Sequence, residues 1–407
     1  MDAHANTRAH GHVKGQSDAF HVLVIGAGIT GLLLAQGLTK AGFRCSVFER
    51  ETAAQYRPRE WTMGLHWSLP LLEHMVPADI WTGLREAQTD PNYDVPDADV
   101  LPVFNGLTGD LIKNIPIPKT IRYSRRKMRA HLTKGVDVKY GKELTAFECP
   151  DEHSIVASFA DGSHVSGAIL IGSDGPRSKL RELLLGPEKA AAKQLGINQA
   201  NLTVNFGSAQ KSLFARKNHP SFYLATSPNN IANFISIYDV PDAEKPETWS
   251  FQVVTSWVGE RDLSLTDSER LAMVKSRMQD QAEPFRSANL WIPDDTPVKF
   301  DDIAYWVTIP WDNHGGRITL AGDAAHPQAP HRGQGLNHCI CDVANFIDAV
   351  KKAQGSSTLQ EAISAYDEEL VLRGSKEVQT SYQQAAMFHD WEQLMKSPMM
   401  SLALNKA

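Results

Sequence analysis

Residues 21–50 read HVLVIGAGITGLLLAQGLTKAGFRCSVFER, and this stretch limits the fold more than any other. An apolar run of buried-strand character ends in glycine, apolar residues then recur at helical spacing, and a second strand closes on an acid. The pattern predicts a βαβ unit with glycines at Gly26, Gly28 and Gly31. The first permits a tight turn, the second lets backbone approach a pyrophosphate, and the third lets helix pack closely on strand. A phosphate would then lie at a helix N-terminus, where unpaired N–H groups point at it. Glu49, at the end of the second strand, is placed to accept from ribose hydroxyls. This element alone does not separate NAD from FAD, although Arg50 after the acid leans towards FAD.

A second element of the same kind occurs late in the chain. Residues 317–337, RITLAGDAAHPQAPHRGQGLN, run from a buried strand through Gly322-Asp323 into a loop of Pro, Gly and His, with a helix expected from Gly335. One glycine-rich helix end serves one pyrophosphate. A second strand, acid, loop and helix makes sense if the ligand is long and its far half carries a redox head, which points to FAD. Asp323 would then hold the ribityl chain, and Gly335, Leu336 and Asn337 would face the ring.

Between these anchors, Ser124-Arg125 opens a short helix to about Thr133, with Arg125 reaching for an anion or a carbonyl. Residues 136–171 alternate in short runs and predict an antiparallel meander turning at Asp161-Gly162. Then AILIGSDGPRSKLRELL gives a buried strand, Asp174-Gly175 and a helix. From 186 to 300 longer aromatic strands (SFYLATSP, NIANFISIYDV, WSFQVVTSWV) precede an amphipathic helix, TDSERLAMVKSRMQDQAEPF. The fold class is therefore α/β (α+β): a Rossmann-like FAD-binding domain with an inserted antiparallel-sheet substrate domain. The expected division is a mobile tail at 1–18, a discontinuous nucleotide-binding domain at 19–75, 103–185 and 300–380, a substrate domain at 76–102 and 186–299, and a C-terminal helical tail at 381–407.

With 407 residues, 42% hydrophobic and 22% charged, the chain has material for a sizeable core. A net charge of −6, with no basic run longer than Arg125–Lys127, argues against nucleic acid as a partner. No run approaches the roughly 20 apolar residues of a membrane span, and the first 18 residues lack a signal-peptide core. Four cysteines make no disulfide framework, so a cytoplasmic, reducing setting is expected. Cys339 and Cys341, at i and i+2 of a helix, point in different directions, so no metal is expected. The stretch YRPREWTMGLHW could close over a nucleotide or substrate through Arg57 and Arg59.

Taken together, GxGxxG…E, SR…M, GSDGPRSKLR and GDAAHPQAPHRGQGLN resemble the aromatic-ring hydroxylase family of FAD-dependent monooxygenases, of para-hydroxybenzoate hydroxylase type, over roughly 20–380. YRPREWTMGLHW and RGQGLNH look most like its fungal secondary-metabolism branch. By resemblance, Gly26, Gly28, Gly31 and Glu49 hold the ADP half of tightly bound, non-covalent FAD, and Arg125 contacts the cofactor; Arg50, after the acid, is a further cofactor-binding candidate. Asp174 and Gly175 match a motif tied to both FAD and NADPH, with the nicotinamide cofactor docking transiently near Asp174 and Arg181. Gly322 and Asp323 match the ribityl motif, while Pro330, Gly333, Gly335 and Leu336 line the ring, with Asn337 beside them at the helix start, and the backbone at Gly64 sits where a family segment touches FAD.

The activity so implied is hydroxylation or epoxidation of a small aromatic or polyene metabolite by molecular oxygen through a flavin hydroperoxide, with NADPH or NADH as donor, in a monomer or homodimer. The family fixes no catalytic base; Tyr223, Tyr238, His66 and His331 are the candidates here. His331-Arg332 is bulkier than many relatives carry. The rival readings are an FAD-dependent reductase or desaturase, a flavin-fold binding protein, and a halogenase. The halogenase signature Trp-x-Trp-x-Ile-Pro fails, because its tryptophans fall on Tyr305 and Val307.

Overall fold

The structure is a computed structural model and describes residues 20–53, 60–298, 300–301, 303–397 and 400. The 1–18 tail, Arg57, Arg59 and the last residues of the 381–407 segment lie outside these.

A parallel sheet carries both anchors. Its order is Ile318–Leu320, Ile169–Gly172, His21–Ile25, Arg44–Glu49 and Val138–Tyr140. Helices cover its faces, so its central strands are apolar without alternation, and Val22, Leu23, Val24, Ile169, Leu170 and Ile171 are fully buried. The helix Ile29–Lys40 leaves the first strand and packs on the helix Gly335–Ala353, which follows the last strand. Gly37 permits that approach, since a Cβ there would lie 2.2 Å from Ile347 Cδ1. The expected meander is correct from Leu144 to Gly167, with its turn at Gly162 (φ +81°). Its first piece is not part of it. Val138–Tyr140 pairs parallel with Arg44–Glu49 and closes the edge of the nucleotide sheet.

The second layer is a six-stranded sheet in the order Ile197–Asn205, Ser250–Val258, Ile231–Asp239, Phe222–Thr226, Ala98–Asn105 and Leu111–Pro118. The expected boundary at 103 is corrected, because Ala98–Asn105 pairs antiparallel with Leu111–Pro118 and both strands belong to this sheet. The assignment of 76–102 to the substrate side also changes. Ile80, Leu84 and Ala87 are buried in the nucleotide-domain core, and His131 Nε2 reaches Ile80 O at 2.9 Å. Nor does a separate tail begin at 381. One helix runs unbroken from Leu359 to Phe388, and its end packs with Leu394 and Met400 against Val103.

The six-stranded sheet has two distinct faces, as strand alternation requires. Tyr223, Ala225, Ile235, Ile237, Phe251 and Val253 point into a core roofed by Ala209–Arg216, Asp267–Met278 and Phe285–Leu290. Phe222, Phe234, Ser236, Tyr238 and Gln252 point the other way, towards a two-stranded ribbon of Thr62–Leu65 and Ile121–Ser124. That ribbon bridges the two layers.

Candidate active site

The helices after the two glycine loops differ from the other long helices in how they begin. Six described helices have eight residues or more, and four of them are capped by a Ser or Thr side chain: Ser124, Ser208, Thr266 and Thr358. The helices from Ile29 and Gly335 have Gly28 and Gln334 at the cap position and no side-chain cap. A helix start leaves up to four N–H groups without helical partners. Among these six, the two uncapped starts are those that follow the glycine motifs, and their donors are free of side-chain partners.

The glycines divide by role. Gly26 has φ +100°, and a Cβ there would meet Ser173 O at 2.6 Å, so the turn and the close crossing both require it. A Cβ on Gly31 would lie 1.9 Å from Gly26 O. Gly28 is different: no atom lies within 4 Å of a Cβ built on it. The protein itself does not need glycine there, and the open space suits a pyrophosphate. Glu49 reaches back to this loop, with Oε2 accepting from Ala27 N (2.9 Å) and Oε1 from Glu51 N (3.0 Å). Arg50 is exposed beside it.

Asp174 Oδ2 accepts from Lys179 N at 2.6 Å and fixes the next helix start, while its buried Oδ1 has no partner. Gly175 turns the chain there at φ +85°. Asp323 has substantial open surface, yet its carboxyl is raised by desolvation, with His326 and Arg125 opposing. Both facts hold if it faces a recess enclosed by protein rather than bulk water. Gly322 (φ +62°) brings this segment against the first anchor, since a Cβ there would meet Thr30 Oγ1 at 2.5 Å. An orphaned carboxylate oxygen that can accept from a sugar hydroxyl, open space at Gly28 for a pyrophosphate, and two uncapped starts on helices packed against each other fit the donor and acceptor groups of FAD.

Arg125, at the start of its helix, lies 4.7 Å over the Trp61 ring and is near enough to Asp323 to oppose the rise of its carboxyl. Gly64 lies across the ribbon from Arg122. The Asn337 side chain is used within the chain. Its Nδ2 donates to Gly64 O (3.0 Å), and its Oδ1 accepts from His66 N (3.1 Å) and Ser68 Oγ (2.8 Å). The amide is committed to holding the 64–68 segment, and only its backbone at the helix start remains for a ligand. Pro330 and Gly333 are exposed in the loop before that start, and Gly335 and Leu336 are half-buried.

Arg181 is also corrected. It is 2% exposed and donates to Ala324 O (2.8 Å), Ala190 O (3.1 Å) and Pro176 O (2.6 Å). Burial pushes it down to about 10, with Asp174 and Asp323 opposing. It braces the Asp174 turn to the Asp323 turn and has little left for a nicotinamide cofactor.

Sequence reading missed three residues. Arg129, one turn past Arg125, donates to Ala27 O at 2.9 Å and locks its helix to the first glycine loop. Asp342, fully buried, accepts from Gly322 N (2.7 Å), His326 Nε2 (2.6 Å) and Arg373 Nη2 (2.7 Å). It fixes the second anchor from behind, and a charged residue two turns inside an apolar helix face was the available signal. Arg122, the third, has no local sequence signal at all.

Of the candidate bases, Tyr223 is excluded. It points into the helix-covered core, donates to Ala215 O at 2.5 Å, and burial pushes its hydroxyl far up. Tyr238 lies on the ribbon side and donates to Glu60, which also faces Arg126 at 3.5 Å. Burial and Glu60 raise it. His66 sits beside Gln334 (3.3 Å) and is lowered by burial and by His338. His331 has both ring nitrogens buried without partners, stacks on Phe388 and is edge-on to His389. Burial and His389 push it down to about 3, so it is neutral at working pH.

Arg122 crosses from the ribbon to the six-stranded sheet, with its guanidinium carbon 5.2 Å from the centroids of both Phe222 and Phe234. Burial pushes it down to about 9, and it stays protonated at neutral pH. Its Nη2 donates to Thr62 Oγ1 and its Nε has no partner. Two cation–π contacts return about 1–4 kcal/mol together. Taking an ion out of water costs several kcal/mol, so the site is short of a negative group. Elsewhere, a cleft of about 120 Å³ beside Asn198, Trp257 and Arg277 lies at the far edge of the sheet and takes no part in this arrangement.

The FAD binding domain family matches residues 19–381. The FAD-dependent monooxygenase phnB of Penicillium herquei is 44% identical over 382 residues, covering 93% of each chain. The FAD-dependent monooxygenase cctM of Talaromyces islandicus is 37% identical, covering 96% of this chain and 98% of its own. Among solved structures, Klebsiella pneumoniae HpxO complexed with FAD and uric acid superposes with a TM-score of 0.76 at 18% identity, over 94% of this chain and 92% of that one. No described helix is long and apolar enough to cross a membrane. The chain belongs to the FAD binding domain family and is an FAD-dependent monooxygenase.

Proposed function

We propose that this monooxygenase hydroxylates a small, planar aromatic metabolite of fungal secondary metabolism, with NADPH or NADH as electron donor. The single observation that carries the site assignment is the pair of uncapped starts on two long helices that pack against each other, each following a glycine motif. Gly26, Gly28, Gly31 and Glu49 would hold the ADP half, with Arg50, Asp174 and Gly175 beside it. Gly322 and Asp323 would hold the ribityl chain. Arg125, the backbone at Gly64 and the segment Pro330, Gly333, Gly335 and Leu336 would border the ring.

When bound, FAD supplies the two-electron and oxygen chemistry. The chain's part is to position and to shield. The Gly335 helix start favours negative charge beside it by about 1 kcal/mol. Asn337 fixes the ribbon that carries Gly64 and Arg122. The sheet offers Phe222, Phe234 and Val254 as an apolar wall; Phe234 and Val254 stay partly open in mid-sheet, as beside a recess. That aromatic and cationic lining favours hydroxylation of an aromatic ring over epoxidation of a polyene.

Purified protein should be yellow with a bound-flavin spectrum. Phenolic substrates should stimulate NADPH oxidation and oxygen uptake, with a product one oxygen atom heavier. A colourless protein that cannot be reconstituted with FAD would overturn the site assignment. Flavin reduction without oxygen transfer to any phenol would overturn the hydroxylase reading.

A further inference from the structure

Four other buried or half-buried arginines are spoken for. Arg373 pairs with Asp342 and Glu369, Arg332 with Glu377, and Arg216 with Asp90. Arg181 is wrapped in carbonyls. Arg122 differs from these four: among the described residues it has no carboxylate within ion-pair distance, and its Nε is buried without a partner. Its one hydrogen-bond acceptor, Thr62, belongs to a neutral chain. Thr62 Oγ1 donates to Gln252 Oε1 (2.6 Å), and Gln252 Nε2 donates to Asn201 Oδ1 (2.9 Å). The nearby acid Glu60 is already engaged by Tyr238 and Arg126.

Its position adds the second argument. Arg122 Nη1 lies 3.6 Å from where a Cβ on Gly64 would be. Gly64 is held by Asn337 at the start of the second-anchor helix. The guanidinium therefore stands between the groove assigned to FAD and the aromatic face of the sheet. Phe222 and Phe234 lie 6.1 Å apart with planes tilted by 35°; Phe222 is buried, and Phe234 stays partly open beside the charge.

We propose that Arg122 is a substrate-recognition residue, pairing through its guanidinium with an anionic oxygen on a planar aromatic substrate that lies along Phe222 and Phe234. The oxygen is a phenolate or an aryl carboxylate. Either supplies the missing negative charge, and a phenolate also enriches the ring electronically for oxygen transfer. This inference rests on the hydroxylase reading of the recess.

The test uses FAD-loaded protein and follows flavin difference spectra with 2-naphthol, 1,8-dihydroxynaphthalene, 2-naphthoate and 2-methoxynaphthalene. Wild type should bind at least one phenol or the naphthoate about 30-fold more tightly than the methyl ether. The phenol and naphthoate arms identify the kind of oxygen. Arg122→Met should lose that preference while keeping flavin content and melting temperature; Arg122→Lys, which keeps the charge without the planar fork, should retain part of it. Wild type that binds the methyl ether as well as the anions, or binds none of the anions, overturns the proposal. So does a flavin-loaded Arg122→Met that keeps the preference. Should Arg122→Met fail to fold, the wild-type comparison and the Lys variant still decide. A colourless wild type would instead defeat the cofactor assignment.

Discussion

Gly28 and Gly31 sit three residues apart in the same motif, yet the structure gives them separable consequences. A Cβ on Gly31 would lie 1.9 Å from the backbone oxygen of Gly26 and 2.7 Å from Ser173 Oγ. Neither neighbour can yield cheaply, so Gly31→Ala should cost about 3 kcal/mol, the upper end for overpacking. Unfolding entropy of about 2.1 cal/mol/K per residue over 407 residues is about 0.85 kcal/mol/K, so the apo protein should melt about 3–4 °C lower. Gly28→Ala meets nothing within 4 Å, and its φ of −71° suits alanine. Its cost is the poorer cap, under about 1 kcal/mol, or about 1 °C. The groove is another matter, because the new methyl enters the space assigned to the pyrophosphate. FAD at one hundred times its Kd adds about 2.7 kcal/mol, or about 3 °C, to wild type, and Gly28→Ala should lose most of that shift. Differential scanning fluorimetry of both variants, with and without FAD, separates the effects. A Gly28→Ala protein with full flavin content and the wild-type FAD shift would refute the placement of the pyrophosphate.

Asp323→Ala should lower retained flavin through dialysis, and unchanged flavin content would show that the second anchor is misassigned. Asp342→Asn should cost about 3–5 kcal/mol, because His326 and Arg373 lose their shared carboxylate. His326 is raised above 6.5: burial lowers it, but Asp342 outweighs that. Its pairing therefore stabilises fully below pH 6.5 and fades as pH rises through the raised value. The melting gap between wild type and Asp342→Asn should narrow from pH 6 to pH 9, and a widening gap would refute the pair. His331, pushed down to about 3, destabilises the apo fold as pH falls below 6.5, because the unfolded ring takes up a proton that the folded one refuses. Its substitution by Asn should leave the pH profile of kcat/KM unchanged between pH 5 and 9, and loss of an inflection there would make it a titrating catalyst. Tyr223→Phe should lose about 1 kcal/mol of stability and no turnover; a tenfold fall in kcat would return it to the list of bases.

What the sequence made legible follows from which groups do the holding. Gly26, Gly28, Gly31, Gly322 and Gly335 can be read in a linear chain because their task is set by their own backbone or by absence of a side chain. The acids that close strands, Glu49 and Asp323, sit at fixed offsets from those glycines. The same logic let Ser124 announce its helix and Thr266 the amphipathic one, since a cap bonds three residues away. The boundaries at 103 and 381 were misplaced for the converse reason. Leu111–Pro118 alternates like any exposed edge strand, and only its pairing with Ala98–Asn105 assigns it to the six-stranded sheet.

The substrate side was illegible for a reason that bears on how this family changes specificity. Arg122, Thr62, Gln252 and Phe234 come from four strands of two sheets, and no local pattern ties them together. Arg122 read alone is one more polar residue on a short strand. Its chemistry exists only because Gly64 leaves it room on one side and two phenylalanines on the other exclude water. Each of these neighbours can be exchanged without touching a glycine, a strand-end acid or an uncapped helix. The cofactor groove is thus constrained at the backbone and the recess only at side chains. Substitution at Arg122, Phe222 or Phe234 should therefore alter which oxyanion is bound while leaving FAD in place.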